Sequence, residues 1–121
     1  MGSLLGHYSQ CRRALCLAAK QGSKISYGDL ATALGLKSPR QEWNTVLGPI
    51  AADEVKKTGH DLTLVVVYGS GPAKGLGRYF SNIRAGRSPQ SQSLDPKNSQ
   101  QVVAYEQALR QVFAAYANAT C

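Results

Sequence analysis

Acidic side chains are scarce in this chain. Its 121 residues carry seven Asp and Glu against fourteen Lys and Arg, a formal charge of +7. Such an excess favours a polyanionic partner, either nucleic acid or an acidic protein surface. Histidine is scarcer still. His7 and His60, with Cys11, Cys16 and Cys121, build no zinc-ligand spacing. Long apolar runs are absent too. The longest uncharged one, residues 62–68, is far shorter than the ~20 residues a membrane helix needs. Leu4 and Leu5 run straight into Gly6 and His7, so no secretory h-region is expected, and the predicted setting is cytoplasmic. An odd cysteine count argues against a disulfide framework. Cys11 and Cys16, five apart, fall on different faces of a helix. All three are expected as reduced thiols, the first two buried and Cys121 simply terminal.

What is present is ordinary globular material: 43% hydrophobic and 17% charged residues, enough for one core and one domain over 1–121. Leu4, Tyr8, Cys11, Leu15 and Ala18 step by fours and threes, the stripe of a first helix that fades by Gly22. Ser26-x-x-Asp29 has the form of a capping box for a second helix, which Gly35 closes. Ser38, with Pro39 next and Gln41 at the third position, marks a third helix carrying Trp43, Val46, Leu47 and Ile50, with Pro49 as a kink or break. The run 62–68 is β-branched and reads as a buried strand, and Arg78-Tyr79-Phe80-Ser81 as its returning partner across a glycine-rich turn. Residues 85–99 are Ser, Gln, Pro and Asn, an extended loop. Val102, Tyr105, Leu109, Val112 and Tyr116 make an amphipathic helix over 100–118. The predicted class is α/β in the α+β sense and winged-helix-like. It has three N-terminal helices, a β-hairpin wing, a core over 4–83, and an added C-terminal helix.

Motifs for chemistry are thin. Gly71-x-x-x-Gly75-x-Gly77 follows a strand, as nicotinamide-binding loops do. It lacks repeated βαβ units and the acidic residue about 20 positions on, Asp95 excepted, and Pro72 removes an amide. No Gly-Lys-Ser/Thr ending makes it a P-loop. A hairpin tip is the better reading. Cys11 and Cys16 sit in an apolar helical pattern, where a thiol is structural. His60 beside Asp61 has the chemistry of a base and its orienter, but neighbours in sequence need not face each other, and a solvated loop is the simpler expectation. Asp53 and Glu54, next to Lys56 and Lys57, read as a solvated, charge-balanced helix face. No catalytic residue, metal site or cofactor is expected.

The basic residues say more. Between Leu62 and Leu94 stand Lys74, Arg78, Arg84 and Arg87, with no acidic residue. Interleaved with Tyr79, Phe80 and glycines, they suit a wing against a phosphate backbone. Lys24, Lys37 and Arg40 gather near the starts of the second and third helices, whose amides add partial positive charge.

These residues suggest a family. Ser26-Tyr27-Gly28-Asp29-Leu30-Ala31 resembles the Thr/Ser-Tyr-Gly-x-hydrophobic-Ala helix start of alkyltransferase-like and methylguanine-DNA methyltransferase DNA-binding domains. Gly35, Pro39 and Val46-Leu47-Gly48 look like its next helix. Val66-Val67-Tyr68 and Gly75-Leu76-Gly77-Arg78-Tyr79 are similar to its strand and wing. The match spans about residues 24–80. The resemblance implies minor-groove binding of DNA, with Tyr27 crowding a phosphate and helping to rotate a nucleotide out of the stack, and Ser26 on the backbone. An arginine would fill the vacated space; Arg40 is the nearest candidate, and the position aligned from Gly48 is Thr45. The family's Pro-Cys-His-Arg falls near residues 62–65, which hold neither Cys nor His. Alkyl transfer needs a thiolate activated by a neighbouring His. The chain is therefore expected to be a non-catalytic relative.

The functional expectation is a non-enzymatic, DNA-binding protein that contacts the duplex backbone through Ser26, Tyr27, Lys37, Arg40, Lys74, Arg78 and Arg84, and that senses or flips a nucleotide. The alternative is a small basic protein-binding module or inhibitor of phage or plasmid type, using the C-terminal helix and the 85–99 loop. A nucleotide-dependent enzyme built on Gly71–Gly77 is the third reading.

Overall fold

The apolar stripe of the first segment folds as expected. A 3₁₀ turn at Leu5–His7 leads into α1, Tyr8–Lys20, which buries Cys11, Leu15, Cys16 and Ala19. The computed structural model describes residues 4–38, 40–71, 74–81 and 90–121. Expectations for Pro39, Pro72, Arg84, Arg87 and the first part of the 85–99 loop lie outside the described residues. Two-residue strand β1, Ile25–Ser26, runs directly into α2, Tyr27–Ala33. The Ser26 hydroxyl accepts the Asp29 N–H at 3.1 Å, the cap that the sequence announced. Beyond α2 the chain turns at Gly35, whose φ of 73° is a left-handed conformation suited to glycine.

The third helix, α3, spans Asn44–Thr58 and begins six residues later than expected. The signal at Ser38 builds a local turn instead. Its hydroxyl accepts the Arg40 N–H, and its carbonyl accepts from the Gln41 side chain. Pro49 lies inside the uninterrupted helix. Residues 62–68, read as a strand, are mostly not one. Leu62–Val65 form a 3₁₀ turn because the Asp61 carboxylate accepts both the N–H and the hydroxyl of Thr63, at 2.9 and 2.5 Å. Only Val66–Val67 extend, as β2, and they pair in parallel with β1: Ile25 faces Val66 and Ser26 faces Val67. The β-branched run reflects burial of Leu62 to Val67 rather than a sheet ladder.

The hairpin also differs. Strand β3, Arg78–Ser81, pairs antiparallel with β4, Gln90–Ser93, inside the segment expected as loop. β2 takes β1 as its ladder partner, and β3 pairs with β4 further along the chain in a separate sheet. Gly77, just before β3, is buried where the backbone passes the Val66 carbonyl. A Cβ there would run into that oxygen and crowd the Tyr105 hydroxyl. Gly77→Ala is therefore expected to cost about 1–3 kcal/mol, read as a lower urea midpoint at unchanged m-value.

Helix α4, Ser99–Tyr116, is capped by the Asn98 side chain and buries Tyr105, Leu109, Val112 and Tyr116 against α1 and the 3₁₀ turn. Among the described residues the architecture is thus four α-helices with two small two-stranded sheets, a mixed α+β fold.

Two sequence readings are corrected in the core. Cys16 and Cys121 form a disulfide across 105 positions, so only Cys11 is a free thiol, buried as expected. Their residue spacing carries no hint of this, because the pairing depends on α4 returning the chain end to α1. Glu54 is not on a solvated face. It is fully buried, gripped by Arg12 through Nε to Oε2 at 3.0 Å and Nη2 to Oε1 at 3.1 Å, with the Tyr116 hydroxyl donating to Oε1 at 2.6 Å. Asp53 stays exposed and accepts from the Tyr8 hydroxyl.

Candidate nucleic-acid face

Ser26 spends its hydroxyl on the α2 cap, which places Tyr27 at the first turn of that helix. Tyr27 is half-buried. Its ring lies between Trp43 and Tyr68, with centroids at 5.7 and 5.4 Å and tilts of 46° and 45°. Such tilted pairs hold ring positions firmly. The aromatic trio joins three pieces of chain: the start of α2, the end of the 36–43 connection, and the end of β2.

The glycine-rich segment closes on the same place. The Tyr68 N–H donates to the Leu76 carbonyl, and the Gly75 N–H donates to the Tyr68 carbonyl, at 3.0 and 2.9 Å. Lys74 bridges to Tyr68, and its N–H donates to the Gly71 carbonyl at 3.1 Å. Gly71 and Gly75 have φ of 83° and 82°, turns that only glycine makes cheaply. Lys24 reaches across, its ammonium donating to the Gly75 carbonyl at 2.9 Å. Gly69 packs against Ser26 so closely that a Cβ there would sit 3.4 Å from the Ser26 Cβ. The loop then enters β3, whereas a pyrophosphate loop would open a helix.

Of the expected contact residues, Ser26, Tyr27 and Lys74 are brought together around Tyr68. Lys37 and Arg40 are exposed on the 36–43 connection, which is stitched to Tyr27 through Trp43. Arg78 opens β3 opposite Ser93. Arg84 lies outside the described residues. Trp43 and Tyr68 were not singled out from the sequence for this face, nor was Lys24 as a tie to the loop. Thr45, the position aligned with the family's arginine, is spent inside the fold. Its hydroxyl donates to the Glu42 carbonyl and accepts the Leu4 N–H.

The other sequence-level pairs do not assemble. Oδ1 of Asp61 is committed to Thr63, and the His60 N–H donates to the Thr58 hydroxyl, so the two neighbours serve local turns. Cys11 has its thiol pushed up to about 12 by burial, which removes its nucleophilic form at neutral pH. Among the described residues, no three His, Cys, Asp or Glu side chains group as metal ligands, and no helix is long and apolar enough to cross a membrane. No family model, curated protein or solved structure matches the chain.

Proposed function

We propose that the chain binds duplex DNA without chemistry, using the face formed by the α2 start, the 36–43 connection and the 69–77 loop, with β3–β4 as a winged-helix wing. The observation that carries this reading is exposed Lys74 beside the Tyr27–Trp43–Tyr68 cluster, with exposed Lys37 and Arg40 on the connection that ends at Trp43, in a chain of charge +7. A backbone-binding face needs this combination: cations for phosphates and a rigid aromatic step to set register. The short strand running into a Ser-capped helix supports kinship with a non-catalytic alkyltransferase-like domain, in which Tyr27 perturbs a nucleotide. Its packing between two rings gives it a structural duty as well.

Anisotropy on a labelled duplex over a salt series tests this. With Lys37, Arg40, Lys74 and Arg78 on phosphates, log K against log salt is expected to slope at about −3.6. Lys74→Gln or Arg40→Gln each lowers the slope by about 1. Tyr27→Phe keeps the packing and isolates the hydroxyl. Absence of duplex binding near 0.15 M salt sinks the proposal.

The Cys16–Cys121 bond favours a second reading. Disulfides persist in oxidising compartments, and on this second reading the chain acts in one rather than in the cytoplasm. A small basic binding module acting outside reducing conditions has α4 as its docking element, where Val103 is 54% exposed. Loss of DNA binding with retained capture of an acidic protein surface supports that reading.

A further inference from the structure

On the other side of the 3₁₀ turn, a cavity of about 340 Å³ opens between that turn and α4. Its walls are apolar: Leu64, Leu94, Ala104, Ala108 and the ring of Tyr105. Its volume sits at the lower end of those that hold small ligands. Besides Tyr105, two polar residues line it, Asp61 and Gln101.

The hydrogen bonds already made decide what each polar group has left. The Tyr105 hydroxyl donates to the Leu64 carbonyl at 2.7 Å and accepts from the Gly77 N–H, so its one proton is spent. Gln101 accepts the Asp95 N–H at its Oε1, 3.0 Å, and keeps its NH₂ group. Asp61 takes both Thr63 donors on Oδ1. Oδ2 takes neither. Asp61 is only half-buried, and a carboxylate oxygen beside an apolar cavity is a strong acceptor for a charged donor.

We propose that this cavity is a binding site for a small hydrophobic amine, its ammonium on Asp61 Oδ2 and its apolar body against Leu64, Leu94 and Ala104. Burial raises the Asp61 carboxyl above the ordinary range, with the two Thr63 bonds offsetting part of the effect. A bound ammonium would return the stabilisation that burial removes. The site does not depend on DNA binding, and none of its residues belongs to the proposed DNA face.

The test uses the full chain, ¹⁵N-labelled, titrated with phenethylamine and with its neutral counterpart 2-phenylethanol. The amine is expected to bind with a dissociation constant on the order of 1 mM, about tenfold tighter than the alcohol. Shifts should centre on residues 61–64, 94 and 101–108. Asp61→Asn preserves an acceptor for the Thr63 cap and removes the charge. It should erase the tenfold preference and leave the alcohol unchanged. Ala104→Phe alters the exposed face of α4 and fills the cavity, so both ligands should be lost. Equal binding of amine and alcohol, shifts centred elsewhere, or an amine preference that survives either variant overturns the proposal. So does absence of any shift at about 10 mM ligand, well above the expected constant.

Discussion

Reduction of the Cys16–Cys121 bond is expected to lower stability by about 4.7 kcal/mol, the loop-closure value for roughly 100 residues. The bond spans 105 positions of a 121-residue chain, so it restrains nearly the whole unfolded ensemble. For a domain of this size, the loss corresponds to a Tm lower by on the order of 15 °C. Against a typical total of 5–15 kcal/mol, the reduced chain sits near the margin. The contacts of Tyr105, Leu109, Val112 and Tyr116 still hold α4 on the core, so the reduced form is expected to fold in the cold and melt early. Calorimetry with and without reductant, alongside Cys16→Ser/Cys121→Ser, measures the effect. Cys11 supplies the control. Its buried thiol should resist alkylation in the native state, and exactly one thiol should appear on denaturation without reductant. Three thiols at that step, or a Tm shift below about 2 °C, contradict the bond's role.

That bond also marks where sequence reading ends. Helices α1, α2 and α4 were legible because their signals are local: apolar residues at helical spacing, a Ser cap three residues before Asp29, an amphipathic run from Val102 to Tyr116. Positions that depend on long-range partners were not. Residues 62–65 have strand composition, yet one carboxylate at Asp61 reorganises them into a turn. The Gln-Ser repeat of β4 has no apolar alternation to announce a strand, and only pairing with β3 makes it one. Ser38 offers the same cap chemistry as Ser26, but its turn closes on Arg40 and Gln41 before a helix starts.

The candidate face was readable in part for the same reason. Tyr27 and Lys74 stood out through motif and charge. Their meeting at Tyr68 depends on two left-handed glycines and on Lys24 bonding a carbonyl 51 residues away. The amine cavity had no sequence signal at all. Its walls come from the 3₁₀ turn and α4, joined by a Tyr105–Leu64 bond that spans 41 positions.

Glu54 gives the other large expected effect, and its size depends on pH. Burial by itself would raise its carboxyl. The Arg12 guanidinium and the Tyr116 hydroxyl more than offset this and hold it below the ordinary glutamate range. A depressed carboxyl adds stability that is fully present above the unfolded value of about 4.3 and is lost as pH falls through the folded one. At neutral pH, Arg12→Met strands a fully buried carboxylate and is expected to cost about 3–5 kcal/mol. Glu54→Gln should cost less, about 3 kcal/mol, because the Arg12 side chain is 30% exposed and water solvates part of the charge left behind. Urea titrations between pH 7 and pH 3 separate charge from shape. The gap between wild type and Glu54→Gln should close on the acid side, since a protonated Glu54 no longer attracts Arg12. A gap that persists unchanged at pH 3 would mean that packing against Tyr116, and not the ion pair, holds α1 to α3. Replacing the whole set by Arg12→Met, Glu54→Leu and Tyr116→Phe should recover most of the loss, because a filled apolar core needs no desolvated charge. Recovery in the triple variant, with collapse in Arg12→Met, identifies the network as an electrostatic lock between α1, α3 and α4 that is costly to break from one side only.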